Sequence, residues 1–323
     1  MAYWCKKALT LVVSVIILSL AVFCLSRMAP GDPLMSYYGE RVEKMSVADK
    51  AAARERLGLD EPLVKQYLLW AKNALRGDFG ISYKYKQPVT TVISQRAGNT
   101  LLLGGMGFAI TFAAALGLGL LCAWQEDKWP DKLLCRGGTI LSCIPEFWLA
   151  LVLILVFSVY LGWFPSSGAY AVGRRNDLGD RLWHLALPLA VVVLEHLWYY
   201  AYLVRNKLLE EARADYVLLA KSKGLGKGEI LFRHCLRNVL PSYISLMAVS
   251  LPHILGGTYI VETVFSYPGL GALSHESAQC HDYNLLMVLS LLTGVLVILG
   301  GLVGQTINER LDPRVRAREV KAP

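Results

Sequence analysis

Long runs of apolar residues divide this chain into segments that are too long and too uniform for a water-soluble core. A bilayer core of about 30 Å is crossed by roughly 20 mostly apolar residues in a helix. Six segments meet this requirement and predict an all-α membrane protein with six transmembrane helices. The predicted spans are residues 8–26, 100–124, 138–161, 184–204, 243–261 and 285–307.

The composition supports a membrane protein. The chain of 323 residues is 54% hydrophobic and 18% charged, whereas about a quarter of the residues in a typical soluble chain are charged. The first run could be a signal peptide with Lys6 and Lys7 as its basic end. We interpret it as a retained span because it is long and no small-x-small cleavage site follows.

The distribution of lysine and arginine predicts the orientation. Short loops that are rich in these residues stay in the cytoplasm, which places both termini there. The net charge of +8 then belongs to a cytoplasmic face, and no motif that reads nucleic acid accompanies it. The predicted organisation is a first transmembrane helix (1–28), an extracytoplasmic segment (29–98), a five-helix core (99–307) with a loop at 205–241, and a cytoplasmic tail (308–323).

The extracytoplasmic segment is predicted to be a small helical insertion. Ser46 and Asp49 are spaced as a helix start, and that helix should stop near Gly58. A second helical pattern ends at Gly77, and Pro88 could start a third short helix leading into the second span. The insertion is either a packed cap without chemistry or a docking surface for an external partner.

The loop at 205–241 carries the strongest functional signal. We expect the fourth span to continue as a helix to Ala220, with Gly224 as its left-handed C′ residue. A second helix with an apolar stripe should run from Glu229 to Asn238 and end at Pro241. The loop is either a solvated basic surface or a helical surface that docks into another protein's groove.

This loop resembles the "EAA" loop of ABC importer permeases, in which it forms the coupling helix on the ATP-hydrolysing subunit. The chain departs from the family motif at two positions. Leu219 stands where the motif has its first alanine, and the acidic position is occupied by Asp215. The residues that carry the resemblance, and hence the implied coupling role, are Asp215, Tyr216, Ala220, Gly224, Leu225, His234, Arg237, Asn238 and Pro241.

Further motifs extend the resemblance to the first, or "B"-type, permease of the dipeptide, oligopeptide and nickel importers. One departure is Asn308-Glu309-Arg310, which replaces the family's usual residues before Leu311. The matching runs are PGDP at 30–33, LGLDEPL at 57–63, GDFGISY at 77–83, Pro145 with FW at 147–148, VETVFS at 261–266, PGLG at 268–271 and LDPR at 311–314.

The resemblance implies a multi-pass subunit of a bacterial inner-membrane importer that works by alternating access. Its implied partners are a second homologous permease, two cytoplasmic ATPase subunits and an extracytoplasmic solute-binding protein. The chain has no Walker A sequence, so ATP and magnesium belong to the partner ATPases, and we expect no cofactor here.

An intramembrane enzyme is a poor alternative because HExxH and GxSxG motifs are absent from the sequence. A structural or receptor protein leaves the loop unexplained.

Glu146, Glu195, His196 and His253 are ionisable residues within predicted spans. Counting from each span's start places all four about 15 Å deep. Such residues usually face a bundle interior or a water-filled path, so they either line the translocation path or fasten helices. An acidic, imidazole-bearing path favours nickel or a metal chelate as cargo, with dipeptides and oligopeptides as the alternative.

The outer loop 275–282 holds a second candidate. His275, Cys280 and His281 could ligate a metal ion delivered by a binding protein. We prefer a surface loop near the binding-protein dock, because no standard ligand spacing is met.

Overall fold

The computed structural model describes residues 2–28, 34–39 and 41–311, and nearly all of them are helical. Within these ranges the only extended pairing is an isolated bridge between Ile81 and Pro88. The α-helices in chain order are α1 (Ala2–Met28), α2 (Met35–Tyr38), α3 (Arg41–Lys44), α4 (Val47–Arg56), α5 (Leu63–Ala74), α6 (Val89–Trp124), α7 (Trp129–Lys132), α8 (Gly138–Leu141), α9 (Glu146–Leu153), α10 (Leu178–Ala212), α11 (Asp215–Ser222), α12 (Lys227–Glu229), α13 (Leu236–Val264), α14 (Leu270–Gln279) and α15 (Tyr283–Leu311). Three π-helical segments adjoin them, at Leu133–Gly137, Ile154–Tyr160 and Ile230–Cys235.

Among the described residues, five continuous helices are long and apolar enough to cross a membrane. A helix pair, Trp129–Leu141 and Glu146–Tyr160, which is bent by 101°, gives a sixth span when the pair is counted as one. The all-α class with six spans is therefore confirmed, with the pair counted as one span. The predicted third span, residues 138–161, is not one continuous helix, since α8 ends at Leu141 and α9 begins at Glu146. Pro145 is extended (ψ 140°) and lies at the break. A proline interrupts a helix because it has no N–H to donate and because it disfavours the helical conformation in the residue before it.

The described residues divide into two compact units. One unit comprises those up to Thr100 together with Pro268–Leu299, and the other comprises Leu101–Tyr267 and the described residues from Gly300 onward. The predicted insertion is part of the first unit. The runs 30–33 and 312–314, which carry part of the family resemblance, lie outside the described residues.

The insertion forms helices where the sequence predicts them. The Oγ atom of Ser46 accepts a hydrogen bond from the backbone N–H of Asp49, which caps α4. Gly58 and Gly77 follow α4 and α5 in left-handed conformations, with φ of +62° and +81°. Pro88 does not begin a separate short helix, because α6 runs without a break from Val89 into the second span. A small buried cluster holds the insertion together and contains Leu34, Val42, Ala53 and Leu59.

The second unit is built around α10 and α13. Phe112 of α6 lies between Tyr200 and Tyr243, with ring centroids 4.5 and 5.7 Å away. A Cβ atom on Gly119 would lie 2.6 Å from Cγ1 of Val204, so the α6–α10 contact requires glycine at this position. Small residues permit such close packing of helices in lipid.

Two predicted helix boundaries in the loop 205–241 are wrong. The helix of the fourth span ends at Ala212, and Ala214 is extended before α11 begins. Pro241 does not end a short helix, because α13 continues through both Pro241 and Pro252. A proline in a long apolar helix removes one hydrogen bond, and neighbouring helices can compensate for this loss.

Candidate functional site

The end of α11 is fixed by a complete Schellman motif, in which two N–H groups beyond the helix bond back to its last carbonyls. The N–H of Leu225 donates to the carbonyl oxygen of Ala220 (3.2 Å), and the N–H of Gly224 donates to that of Lys221 (2.9 Å). Gly224 has a φ of +81°, as the sequence predicts. The Schellman motif therefore accounts for the spacing of Ala220 and Gly224 in the loop motif.

The carboxylate of Glu211, which sequence reasoning did not single out, joins three helices. Its Oε2 atom accepts hydrogen bonds from the phenol of Tyr216 (2.7 Å) and from Nδ2 of Asn238 (3.1 Å). Burial, together with the bond to Glu211, raises the pKa of Tyr216 above its usual value of 10.0, so the phenol stays a donor at neutral pH. The only signal in the sequence is an acidic residue five positions before Tyr216.

The loop presents exposed apolar side chains next to basic ones. Leu218, Leu219 and Phe232 are 64%, 58% and 53% exposed. The predicted stripe on the other side is buried, with Ile230, Leu231 and Cys235 inside the core of the unit. Of the remaining predicted coupling residues, Asp215 and Arg237 are exposed, and His234 and Pro241 are half-buried. The basic residues of the same loop segment are Lys221, Lys223, Lys227, Arg233 and Arg237.

A buried ion pair fixes the base of this loop. The guanidinium of Arg205 donates two hydrogen bonds to the Asp131 carboxylate, at 2.8 and 2.7 Å. The backbone N–H of Asp127 donates a third bond to the same carboxylate (2.9 Å). Asp131 is 2% exposed, and bidentate pairs of this kind hold their partners in one geometry. The segment 127–131 is thereby fastened to α10, seven residues before α10 ends.

All four predicted mid-membrane residues line a single cavity of the second unit. This open cavity has a volume of about 680 Å³ and lies between the bend of the third span, α10 and α13. The depth count for Glu146 assumed an unbroken helix from Arg136 and is invalid. The residue nevertheless reaches this cavity as the first residue of α9, after the bend. Its lining residues include Ser142, Cys143, Glu146, Glu195, His196, Tyr199, Ser250 and His253.

The polar side chains of the cavity lie close to one another. The rings of His196 and His253 are 5.5 Å apart, edge to face. Nδ1 of His196 lies 2.9 Å from the carbonyl oxygen of Val192, and a carbonyl only accepts, so Nδ1 carries a proton. Glu195 lies 3.9 Å from the same nitrogen, which is beyond hydrogen-bond length. The arrangement is acidic and has two imidazoles, with Glu146 and His196 buried.

The segment 275–282, which the sequence predicts to be an outer loop, uses its carboxylates for structure. Glu276 forms an ion pair with Lys84 and accepts a hydrogen bond from the phenol of Tyr85 (2.6 Å). Asp282 accepts a bond from the hydroxyl of buried Ser82 (2.5 Å). These contacts fasten the turn at 80–88, which contains part of the GDFGISY run.

The three candidate metal ligands of this loop do not form a ligand group. His275 and Cys280 are half-buried, whereas His281 is exposed with a φ of +54°. Nowhere in the described ranges do three or more histidine, cysteine, aspartate or glutamate side chains form a group that could hold a metal ion. The structure gives no support to a metal site at these residues.

Comparison with known proteins identifies the family of this chain. The family described as "Binding-protein-dependent transport system inner membrane component" matches residues 115–317, and its N-terminal counterpart matches residues 1–104. The oligopeptide transport system permease protein AppB of Bacillus subtilis is 34% identical over 97% of this chain and 99% of its own length. A putative peptide permease protein of Brucella ovis is 32% identical over 93% of this chain and 94% of its own.

A solved structure shares the fold. One chain of the inward-facing MetNI methionine ABC transporter aligns with a TM-score of 0.55 at 17% identity, covering 69% of this chain and 97% of that one. The family matches extend over most of the sequence, and the helices are those of a multi-pass membrane protein. This chain therefore belongs to the family of inner membrane components of binding-protein-dependent transport systems, the permease subunits of bacterial ABC importers.

Proposed function

We propose that this chain is a permease subunit of an ATP-driven importer that moves peptides inward by alternating access. The observation that carries the proposal is the end-to-end similarity to AppB, a protein named as an oligopeptide permease. The sequence favoured nickel or a metal chelate, and the names of the relatives favour the peptide alternative instead. These relatives are permeases and not ATPases, in agreement with a transport subunit that does not itself hydrolyse ATP.

The loop 205–241 couples this subunit to ATP hydrolysis. Its exposed patch of Leu218, Leu219 and Phe232 docks into a groove of a cytoplasmic ATPase subunit, and the neighbouring lysines and arginines add electrostatic attraction. Glu211 holds α11 and α13 to the end of α10, so movement of the docked loop is transmitted to two long helices. The ATPase subunits bind ATP and magnesium.

The proposed orientation also assigns the other segments of the chain to the two sides of the membrane. Both termini and the tail 308–323 are cytoplasmic, the segment 29–98 is extracytoplasmic, and the region 99–307 forms the permease core. A second homologous permease completes the membrane assembly, and a solute-binding protein delivers the peptide from outside. Glu146, Glu195, His196 and His253 line the translocation path.

An uptake assay with the complete transporter tests the proposal. Cells that express this chain with its partner genes should accumulate a radiolabelled tripeptide, and Gly224→Val should reduce this uptake. Radiolabelled nickel serves as the competing cargo. Nickel uptake without peptide uptake would contradict the peptide assignment, and peptide uptake that needs no ATP would contradict the coupling mechanism.

A further inference from the structure

The polar cavity between the bend of the third span, α10 and α13 contains a buried carboxyl oxygen that receives no hydrogen bond. Glu146 is 8% exposed, and its Oε1 atom is buried and receives no hydrogen bond. A buried carboxylate in this state is unfavourable unless something pairs with it. Because Glu146 lines the cavity, an occupant of the cavity can supply the missing partner.

A neighbouring carboxyl group does not remove the need for a partner. The carboxyl group of Glu195, from α10, forms a hydrogen bond with that of Glu146, and such a bond needs a proton on one of the two groups. The pair then still carries one negative charge, and Oε1 of Glu146 still receives no hydrogen bond. The proton on Nδ1 of His196 is donated to the Val192 carbonyl and is therefore not available to them. Oε2 of Glu195 lies 3.9 Å from that nitrogen, and no lysine or arginine is among the residues that line the cavity.

An alkylammonium group fits this requirement better than a metal ion does. The described side chains form no group of three or more ligands that could hold a metal ion. An ammonium group is compact and carries three donors, so it can bond to both carboxylates at once. The ring of Tyr199, which lines the cavity and is 57% exposed, offers an aromatic face of the kind that attracts such a cation.

The size of the cavity also suits one end of a short peptide. Its volume of about 680 Å³ falls within the range of pockets that enclose small organic ligands. We propose that this cavity is a subsite for the ammonium group of the transported peptide, held between Glu146 and Glu195. The inference rests on the proposed function, since it concerns the cargo of the same path. The ammonium group belongs either to the peptide's amino terminus or to a lysine side chain.

Uptake kinetics of the complete transporter test the subsite. The variants are Glu146→Gln and Glu195→Gln, with Glu195→Asp as the conservative change and Glu210→Gln as the control. Glu210 lies on α10, as Glu195 does. Its side chain is 69% exposed and is not among those that line the cavity. The labelled probes are trialanine and Ala-Lys-Ala, and the amount of assembled transporter is measured for each variant.

We expect both glutamine variants to lower the maximal rate of uptake roughly tenfold, the order lost with one hydrogen bond to a charged group. The half-saturating concentration should change little, because the binding protein sets it. Glu195→Asp, which keeps the carboxylate, should lose clearly less than Glu195→Gln, and Glu210→Gln should transport at nearly the wild-type rate. A loss with trialanine identifies the amino terminus as the bound group, and a loss confined to Ala-Lys-Ala identifies the lysine side chain.

Two results would overturn the subsite, and both differ from a failure of the proposed function. The first is wild-type uptake of both peptides by Glu146→Gln and Glu195→Gln. The second is an equal loss in Glu195→Asp and Glu195→Gln, which indicates a structural role. If the wild-type transporter imports neither peptide, the peptide assignment itself fails, and the subsite fails with it.

Discussion

Gly224 ends α11 with a φ of +81°, and a Cβ atom placed there would meet no other atom within 4 Å. A larger side chain is therefore opposed by the backbone conformation and not by a lack of space. Gly226, two residues on, also has open space around it, but its φ is −71°. The two glycines separate the effect of conformation from that of a bulky side chain in the same loop.

We predict that Gly224→Val weakens binding of the ATPase subunit, whereas Gly226→Val leaves it nearly unchanged. A left-handed backbone costs a residue other than glycine about 1–2 kcal/mol, and valine suits it poorly. Co-purification of the ATPase with each variant measures the effect, and membrane insertion should be normal in both. Equal co-purification of the two variants would refute the conformational role of Gly224.

A second prediction concerns the hydrogen bond between Tyr216 and Glu211. Tyr216→Phe keeps the ring and removes the hydroxyl, so Glu211 retains only Asn238 as a donor among its bonds within the loop. A hydrogen bond to a charged group contributes about 1.5–3 kcal/mol. We expect faster amide hydrogen exchange in α11 and weaker coupling of ATP hydrolysis to uptake. Tyr202→Phe, an exposed tyrosine of α10, is the control, and unaltered exchange in Tyr216→Phe would disprove the role.

At the scale of elements, the turn at 80–88 is fastened to α14 by charge. Burial alone would raise the pKa of the Glu276 carboxyl, but Lys84 and the phenol of Tyr85 hold it below its usual value of 4.5. Burial and Glu276 raise the pKa of Tyr85 to about 12, so this phenol remains a donor at neutral pH. The contact is therefore complete across the neutral range.

This contact should be lost in acid. Because the pKa of Glu276 is lower in the folded state, its contribution to stability is present above about pH 4.5 and lost as the pH falls through the folded pKa. Hydrogen exchange of residues 80–88 should accelerate in that acid range in the wild type. Glu276→Gln should show fast exchange already at pH 7. Protection that persists at pH 3, or that is lost near pH 7, would contradict this assignment.

At the scale of the whole molecule, the proposed orientation can be tested by labelling. Val47 of α4 is 87% exposed and Leu218 of α11 is 64% exposed. In a chain whose native cysteines are replaced, Val47→Cys should react with a membrane-impermeant maleimide applied from outside. Leu218→Cys should react only after the membrane is permeabilised. The reverse pattern would invert the proposed topology.

The sequence predicted the parts of this fold that depend on local patterns. Five spans follow from runs of apolar residues, and the ends of α4, α5 and α11 follow from Ser46, Gly58, Gly77 and Gly224. The bend of the third span did not follow, because Pro145 in an apolar run is compatible with either a kinked or a broken helix.

Contacts between distant parts of the chain were the other limit of prediction. Equal depth in the membrane suggested a shared site for Glu146, Glu195, His196 and His253, although the count for Glu146 was invalid. Glu211 and Asp131 were missed because their importance depends on partners on other helices, which no spacing along the chain reveals. The role of Glu276 was missed for the same reason, since nothing in the sequence pairs it with Lys84.

The bend of the third span also has a consequence for the surrounding lipid. The part after the bend consists of eight α-helical and seven π-helical residues. At about 1.5 Å per residue this part reaches roughly 22 Å, which is short of a hydrocarbon core of about 30 Å. A short span of this kind is accommodated where the bilayer thins. The activity of the transporter should therefore depend on lipid chain length, with thinner bilayers favoured over thicker ones.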